Sequence, residues 1–207
     1  EWEFMVKIAL CGKMASGKTT LANKFVDEYD GFGRFSLADA VKRFARFVYD
    51  IPEGVKDRVA FQKIGDGARK ELYENIWIDA VLNLIAQHEE INELENGNEG
   101  FVENFVIDDV RYLNEVEYLK KEGWITIKLD ISDDLQIRRL KKTYPDNWEV
   151  HVAARNHASE AEVDQIPSDL FDLIIEASDE GDVFPMVKEY ISGNMHLNHP
   201  QLESNLH

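Results

Sequence analysis

Eight residues, Gly12 to Thr19, read Gly-Lys-Met-Ala-Ser-Gly-Lys-Thr and fill every fixed position of the pattern G-x-x-x-x-G-K-[ST]. The chemistry this spacing serves is the grip of a polyphosphate. The glycines let the backbone curl until successive amide N–H groups point inward, and the helix that follows turns its positive end toward the same anion. Lys18 then reaches the terminal phosphates, and the Thr19 hydroxyl is a ligand for Mg²⁺. Gly12, Lys13, Ala15, Ser16, Gly17, Lys18, Thr19 and Thr20 form the expected phosphate-binding set. Short patterns also match by chance. Here the apolar run Phe4 to Cys11 precedes the loop and the helical pattern Leu21, Phe25, Val26 follows it, which is the context that a true loop requires.

A second signal is Phe105-Val106-Ile107-Asp108-Asp109-Val110-Arg111. An apolar strand that ends in acid places a carboxylate opposite the loop, where it orients the Mg²⁺ shell. Asp108 and Asp109 both suit that role, and the pair can also cap a helix starting near Tyr112. Arg111 falls at the carboxyl edge of the sheet, where ligands bind in open α/β sheets.

The elements that must hold these groups follow from periodicity. Strand-like runs at Met5–Leu10, Phe32–Leu37, Phe101–Ile107, Trp124–Leu129 and Phe171–Ile175 alternate with helical patterns, as in βαβ units with a mostly parallel sheet. Leu21–Tyr29 and Ala38–Tyr49 read as helices. A long helical region spans Val55 to Glu95, with Trp77, Val81, Leu84 and Ile85 on one buried face. Tyr112, Val116 and Leu119 share that spacing, as do Val183, Val187 and Tyr190. Asn96 to Gly100 reads as a solvated loop. Gly193 to His207 is polar and aperiodic, and its His196, His199 and His207 lack partners at ligand spacing, so they read as solvated.

Composition narrows the classes. The 207 residues suit one α/β domain with a small inserted lobe. With 40 acidic against 23 basic residues, the formal charge is -17, which argues against a broad surface for polymeric nucleic acid or an anionic membrane. The positive charges that matter are therefore local. Cys11 is the single cysteine, so an intramolecular disulfide framework is excluded and a reducing compartment expected. No apolar stretch approaches the roughly 20 residues that span a bilayer. The first residues lack the layout of a signal peptide, and the expected location is the cytoplasm.

Four further motifs stand in order along the chain: Phe35 to Lys42 (FSLADAVK), Gln62 to Arg69 (QKIGDGAR) with Trp77-Ile78 after it, Asp109 to Glu115 (DVRYLNE), and His157 to Glu160 (HASE). With them, the chain from about Val6 to Tyr190 resembles the bacteriophage-type deoxynucleoside monophosphate kinases of the P-loop kinase superfamily. The resemblance implies an α/β P-loop kinase fold, three-layer α/β/α, with a mostly parallel five-stranded sheet. It also implies one domain over residues 1–192, a helical monophosphate-binding lobe at about 42–95, a lid at about 138–160, and a polar tail at 193–207. ATP and Mg²⁺ are the implied cofactors, small nucleotides the partners, and the host cytoplasm the location if the gene is a phage's. A homodimer is compatible with the resemblance, although no stretch shows a self-complementary patch. The doubled Asp108-Asp109 departs from the family pattern and leaves the metal-facing acid open.

The chemistry so implied needs little covalent help. A monophosphate acceptor, with a second pKa near 6, is mostly dianionic at neutral pH, so no general base is required. The site must instead supply aligned cations and exclude water. Lys18, Arg138, Arg139 and Asp109 are the expected catalytic residues, and Thr19 with Asp108 or Asp109 the metal ligands. Arg69 and Arg111 are expected to grip the acceptor phosphate, joined by Lys42. Arg138 and Arg139 open a basic segment running through Lys141 and Lys142 to Trp148, with Arg155 beyond. On a lid, one or two of these swing onto the transferring group; otherwise they belong to a solvated helix face. Asp39 is expected to face the acceptor nucleotide, or to serve as a first-turn helix acid. Gln62 is expected to read base or sugar, and Glu160, with His157 and Ser159, to fasten the lid or touch nucleotide. Two other readings stand beside this one. A P-loop kinase could act on phosphomevalonate or dephospho-coenzyme A. A nucleotide-operated switch would call for an Asn-Lys-x-Asp base-reading motif, which the sequence lacks.

Overall fold

β1 (Lys7–Cys11) runs through the middle of a five-stranded sheet. β3 (Asn104–Val110) and β4 (Ile125–Asp130) flank it, and β2 (Phe32–Phe35) and β5 (Leu173–Glu176) form the edges. All four strand pairings are parallel. The computed structural model describes residues 5–29, 31–52, 54, 58–96, 104–153, 155 and 158–198. Ile8 to Cys11 and Phe105 to Ile107 are buried without a break, as continuous apolar runs are when helices cover both faces of a parallel sheet.

The helices are α1 (Lys18–Glu28), α2 (Leu37–Tyr49), α3 (Arg58–Glu71), α4 (Ile76–Asn96), α5 (Leu113–Lys121), α6 (Asp133–Thr143), α7 (Trp148–Ala153), α8 (Ala158–Val163) and α9 (Phe184–Asn198). They divide between the two faces. Val41, Trp77, Val81 and Leu119 from α2, α4 and α5 pack on Phe105 and Ile107. Leu21, Phe25, Val187 and Ile191 from α1 and α9 pack on Ile8, Leu10 and Val106. The result is the three-layer α/β/α arrangement that the alternating pattern predicts. Among the described residues, no helix is long and apolar enough to cross a membrane.

Several boundaries differ from the periodicity. β2 stops at Phe35 because Ser36 turns the chain into α2 as its N-cap. β5 starts at Leu173, because the Asp172 carboxylate accepts the Thr126 N–H at 2.8 Å and a short 3₁₀ turn, Ser168–Leu170, precedes it. The long helical region is two helices, broken between Glu71 and Ile76 and tied together where the Trp77 indole donates to the Gly65 carbonyl at 3.0 Å. α9 continues through Asn198, past Gly193, where the apolar spacing ends. Phe101 at the start of the third strand candidate, most of the loop Asn96 to Gly100, His199 and His207 lie outside the described residues.

This topology sends the carboxyl ends of β1 and β3 to one edge. The turn out of β1 is tight: Gly12 has φ +151, and a Cβ there would lie 2.5 Å from the Leu129 carbonyl oxygen and 2.8 Å from Ser16 Oγ. Gly12→Ala is therefore expected to destabilise the fold by about 1–3 kcal/mol, through backbone strain and a clash with main chain that cannot easily yield. Urea unfolding checks this, and an unchanged midpoint would show that the loop relaxes around the methyl group.

Candidate active site

The loop between β1 and α1 is wound through two left-handed residues, Ala15 at φ +62 and Gly17 at φ +105. Gly17 is the N-cap of α1, which has neither a side-chain cap nor an acid in its first turn, so its leading N–H groups are left for an anion. Lys18 is buried, with Nζ donating to the carbonyls of Gly12 and Lys13, both at 2.7 Å. Burial, reinforced by the positive charge of Arg111, pulls its pKa down to about 8. Beneath the loop, burial pushes the Cys11 thiol up to about 12.

The two neighbouring acids have separate tasks. Asp108 Oδ2 accepts the Thr19 hydroxyl at 2.7 Å and the Nε–H of Arg34 at 2.9 Å, with Arg34 Nη2 ion-paired to it at 2.9 Å. Asp109 faces the start of α2, where it accepts the Ser36 hydroxyl at 2.9 Å and the amides of Leu37 at 2.8 Å and Ala38 at 2.9 Å. Burial raises the Asp109 pKa against the pull of those amides, and the charge of Asp108 adds to the rise. The capping role thus falls to Asp109, on α2 rather than on the helix after Tyr112. That later helix, α5, is closed instead by Glu115, whose Oε2 takes the amides of Arg111 at 2.9 Å and Tyr112 at 3.1 Å.

Thr19 and Asp108 are the residues able to hold a divalent metal. Both offer hard oxygen, and among the described residues no group of three or more His, Cys, Asp or Glu could build a protein-only site. Such a donor set fits Mg²⁺, which takes one or two protein oxygens and completes its shell with phosphate and water.

Two cavities meet at this pair. The first, about 650 Å³, runs from the loop and Thr20 past Arg139 and Lys142 to Ser178 and Val183. The second, about 400 Å³, lies between α2, α3 and the end of β3 and includes Lys42, Phe61, Gln62, Arg69 and Tyr112. Thr19, Asp108, Asp109 and Arg111 line both. Arg69 stacks 4.8 Å from the Tyr112 ring and donates to the buried Glu115 at 2.9 Å. Burial pushes the Glu115 carboxyl up, opposed by Arg69. Arg111 donates to Glu160, a buried residue of α8.

The remaining sequence candidates are spread more widely. Arg139 holds the loop, donating to the carbonyls of Ala15 at 3.0 Å and Ser16 at 3.3 Å, and to Ser178 O at 2.8 Å. Arg138 lines neither of these cavities and pairs with Asp179 at 3.6 Å. Asp39 is likewise outside both and bonds Lys42 at 2.6 Å. Lys13, paired with Asp164 at 2.6 Å, lines a third cavity together with Arg155 and Trp148. His157 lies outside the described residues, as does the Ser159 side chain. Sequence reasoning missed Arg34 and the Ser178 to Val183 segment. Arg34 carried a usable signal, since it is a cation within an apolar strand run that ends at the same sheet edge as Arg111.

Comparison with known proteins bears on this geometry. No protein-family model matches the chain. The sequence is similar to a protein of Acanthamoeba polyphaga mimivirus named "Putative deoxynucleotide monophosphate kinase", 27% identical over 144 residues, 61% of this chain and 74% of that one. Among solved structures, TT1252 from Thermus thermophilus superposes with a TM-score of 0.54 at 19% identity, covering 94% of this chain and 98% of that one. A Deinococcus radiodurans tunicamycin resistance protein does so with a TM-score of 0.53 at 13% identity, covering 92% and 95%. With its phosphate loop between β1 and α1 and its strand order β2-β3-β1-β4-β5, the chain has the fold of the P-loop kinases, the group to which its motifs and its viral relative point.

Proposed function

We propose that the protein transfers the γ-phosphoryl group of ATP to a deoxynucleoside 5′-monophosphate. The observation that carries this reading is the seam where the two cavities share Thr19, Asp108, Asp109 and Arg111. One cavity offers a phosphate loop and the other an arginine on an aromatic ring, so two phosphorylated guests would meet end to end. The mimivirus relative, by its name, supports a deoxynucleotide as the acceptor.

On this reading, the loop amides and Lys18 hold the donor's phosphates, with Arg139 bracing the loop and the Ser178 to Val183 segment bordering the nucleoside. Mg²⁺, held by Thr19 and Asp108, would offset charge between the β- and γ-phosphates when bound. Arg69, Arg111 and Lys42 orient the acceptor, whose phosphate oxygen attacks the γ-phosphorus in line as the bond to ADP breaks. Asp109 fixes the start of α2 beside the acceptor cavity, which ties that wall to β3. The segment from α6 to α8 serves as the lid. Gln62 reads the acceptor base or sugar from α3.

The defining experiment is ADP release from ATP on addition of each deoxynucleoside monophosphate, with phosphomevalonate and dephospho-coenzyme A in parallel. Turnover with a deoxynucleotide is expected; turnover only with one of the other two would reassign the acceptor. Lys18→Ala is expected to lower kcat by about 10²–10³-fold with its circular dichroism spectrum retained, and near-normal turnover would remove Lys18 from the mechanism. Arg69→Ala should raise the acceptor KM about tenfold or more, with a smaller change in that for ATP. The reverse ranking would place Arg69 on the donor side.

The pH dependence follows from Lys18. Its pKa of about 8 in the free protein must rise when a polyphosphate sits beside it. At about pH 9, ATP binding should therefore take up a proton that binding near pH 7, where Lys18 is charged in both states, does not. Calorimetry in buffers of different ionisation enthalpy measures that uptake, and equal values at the two pH settings would contradict it.

A further inference from the structure

Met14 lies at the bend of the phosphate loop, and side chains from far along the chain hold both of its backbone polar groups. Its N–H donates to the two carboxylate oxygens of Glu160 at 3.0 and 2.9 Å. Its carbonyl accepts Gln136 Nε2 of α6 at 2.9 Å, and that same amide donates to Glu160 Oε2 at 3.2 Å. Glu160 Oε1 also accepts from Arg111 Nη1. Glu160 is 3% exposed and Gln136 fully buried, so one carboxylate joins the loop, α6 and the tip of β3 at the floor of the third cavity, with little contact with solvent.

Met14 and Arg111 line the first cavity and Arg111 also the second, whereas Glu160 lines neither. A carboxylate placed beside a phosphate-binding arginine weakens the attraction for the incoming anion, so charge does not account for it. Orientation does. A free arginine side chain loses rotamer entropy when it is fixed, and Glu160 has fixed it in advance. Of the five guanidinium donors, Nη1 carries the bond to Glu160, which leaves the others for a ligand in the two cavities that Arg111 lines.

We propose that Glu160 is a positioning residue: it acts through Arg111 on the acceptor phosphate and through Met14 on the donor loop, and thereby sets the spacing between the two phosphates. This deepens the kinase reading and rests on it for the acceptor side. Of the two expectations from sequence for Glu160, fastening the lid or touching nucleotide, it follows the first.

The two arms separate by substitution. Glu160→Gln keeps one carbonyl oxygen for the Met14 amide but loses the charge that holds Arg111. It is expected to raise the acceptor KM about tenfold, the typical worth of a charge-assisted hydrogen bond, and to leave the ATP Kd within about threefold. Glu160→Ala frees Met14 as well and should raise the ATP Kd about tenfold by calorimetry. In an Arg111→Ala background, Glu160→Gln should add less than about twofold to the acceptor KM, because the partner through which it acts is gone. A full effect in that background would mean that Glu160 itself meets the acceptor and would overturn the proposal. So would unchanged constants in both Glu160 variants alongside a lowered melting temperature. The ATP Kd needs no acceptor, so the loop arm is decided even if no deoxynucleotide proves to be a substrate.

Discussion

Thr19 donates its hydroxyl proton to Asp108 across 2.7 Å, and that contact joins the two halves of the site. Thr19 belongs to the first turn of α1, Asp108 to β3, and the parallel pairing of β1 with β3 brings them to one edge. A hydroxyl and a carboxylate left at hydrogen-bond distance in a cleft are also a pair that a cation can enter. The loop, the second carboxylate and the arginines are arranged around this point. Asp109 lines the same two cavities but commits its oxygens to α2, so that the wall of the second cavity is fixed to the same strand. Two adjacent residues on one strand point to opposite faces, and here that alternation gives them different partners: Thr19 and Arg34 for Asp108, the start of α2 for Asp109.

The charges around the seam follow one plan. Two of the arginines around it have a buried glutamate behind them, Glu115 for Arg69 and Glu160 for Arg111, while Arg34 bonds Asp108 itself. Such pairs contribute little stability, because desolvating both ions offsets most of their attraction. Their value lies in geometry, since a guanidinium with one donor occupied has fewer ways to point. In a chain of formal charge -17, local cation density at the site is obtained by arranging a few arginines. A generally basic surface is not needed.

Much of this was legible in the sequence for physical reasons. The loop is a backbone motif whose glycines are chemically required, and continuous apolar runs report strands buried on both faces, so the sheet, its layers and the place of the phosphate site follow directly. The tasks of Asp108 and Asp109 were not legible, because they depend on which neighbours the topology delivers to each face. The cation of Arg34 in an apolar run was a signal that gains its meaning only once strand order shows where the run ends. Glu160 carried a family motif, yet its bonds to Met14 and Arg111 span 146 and 49 residues, separations at which no periodicity speaks.

The enclosure of Cys11 reaches into practice. With its thiol held protonated under the loop, the chain presents no ready thiolate to maleimides at neutral pH. A cysteine grafted onto the outer side of α7 would then be the only reactive one in all 207 residues. A dye attached there could report whether that helix moves during turnover without Cys11 having first been replaced.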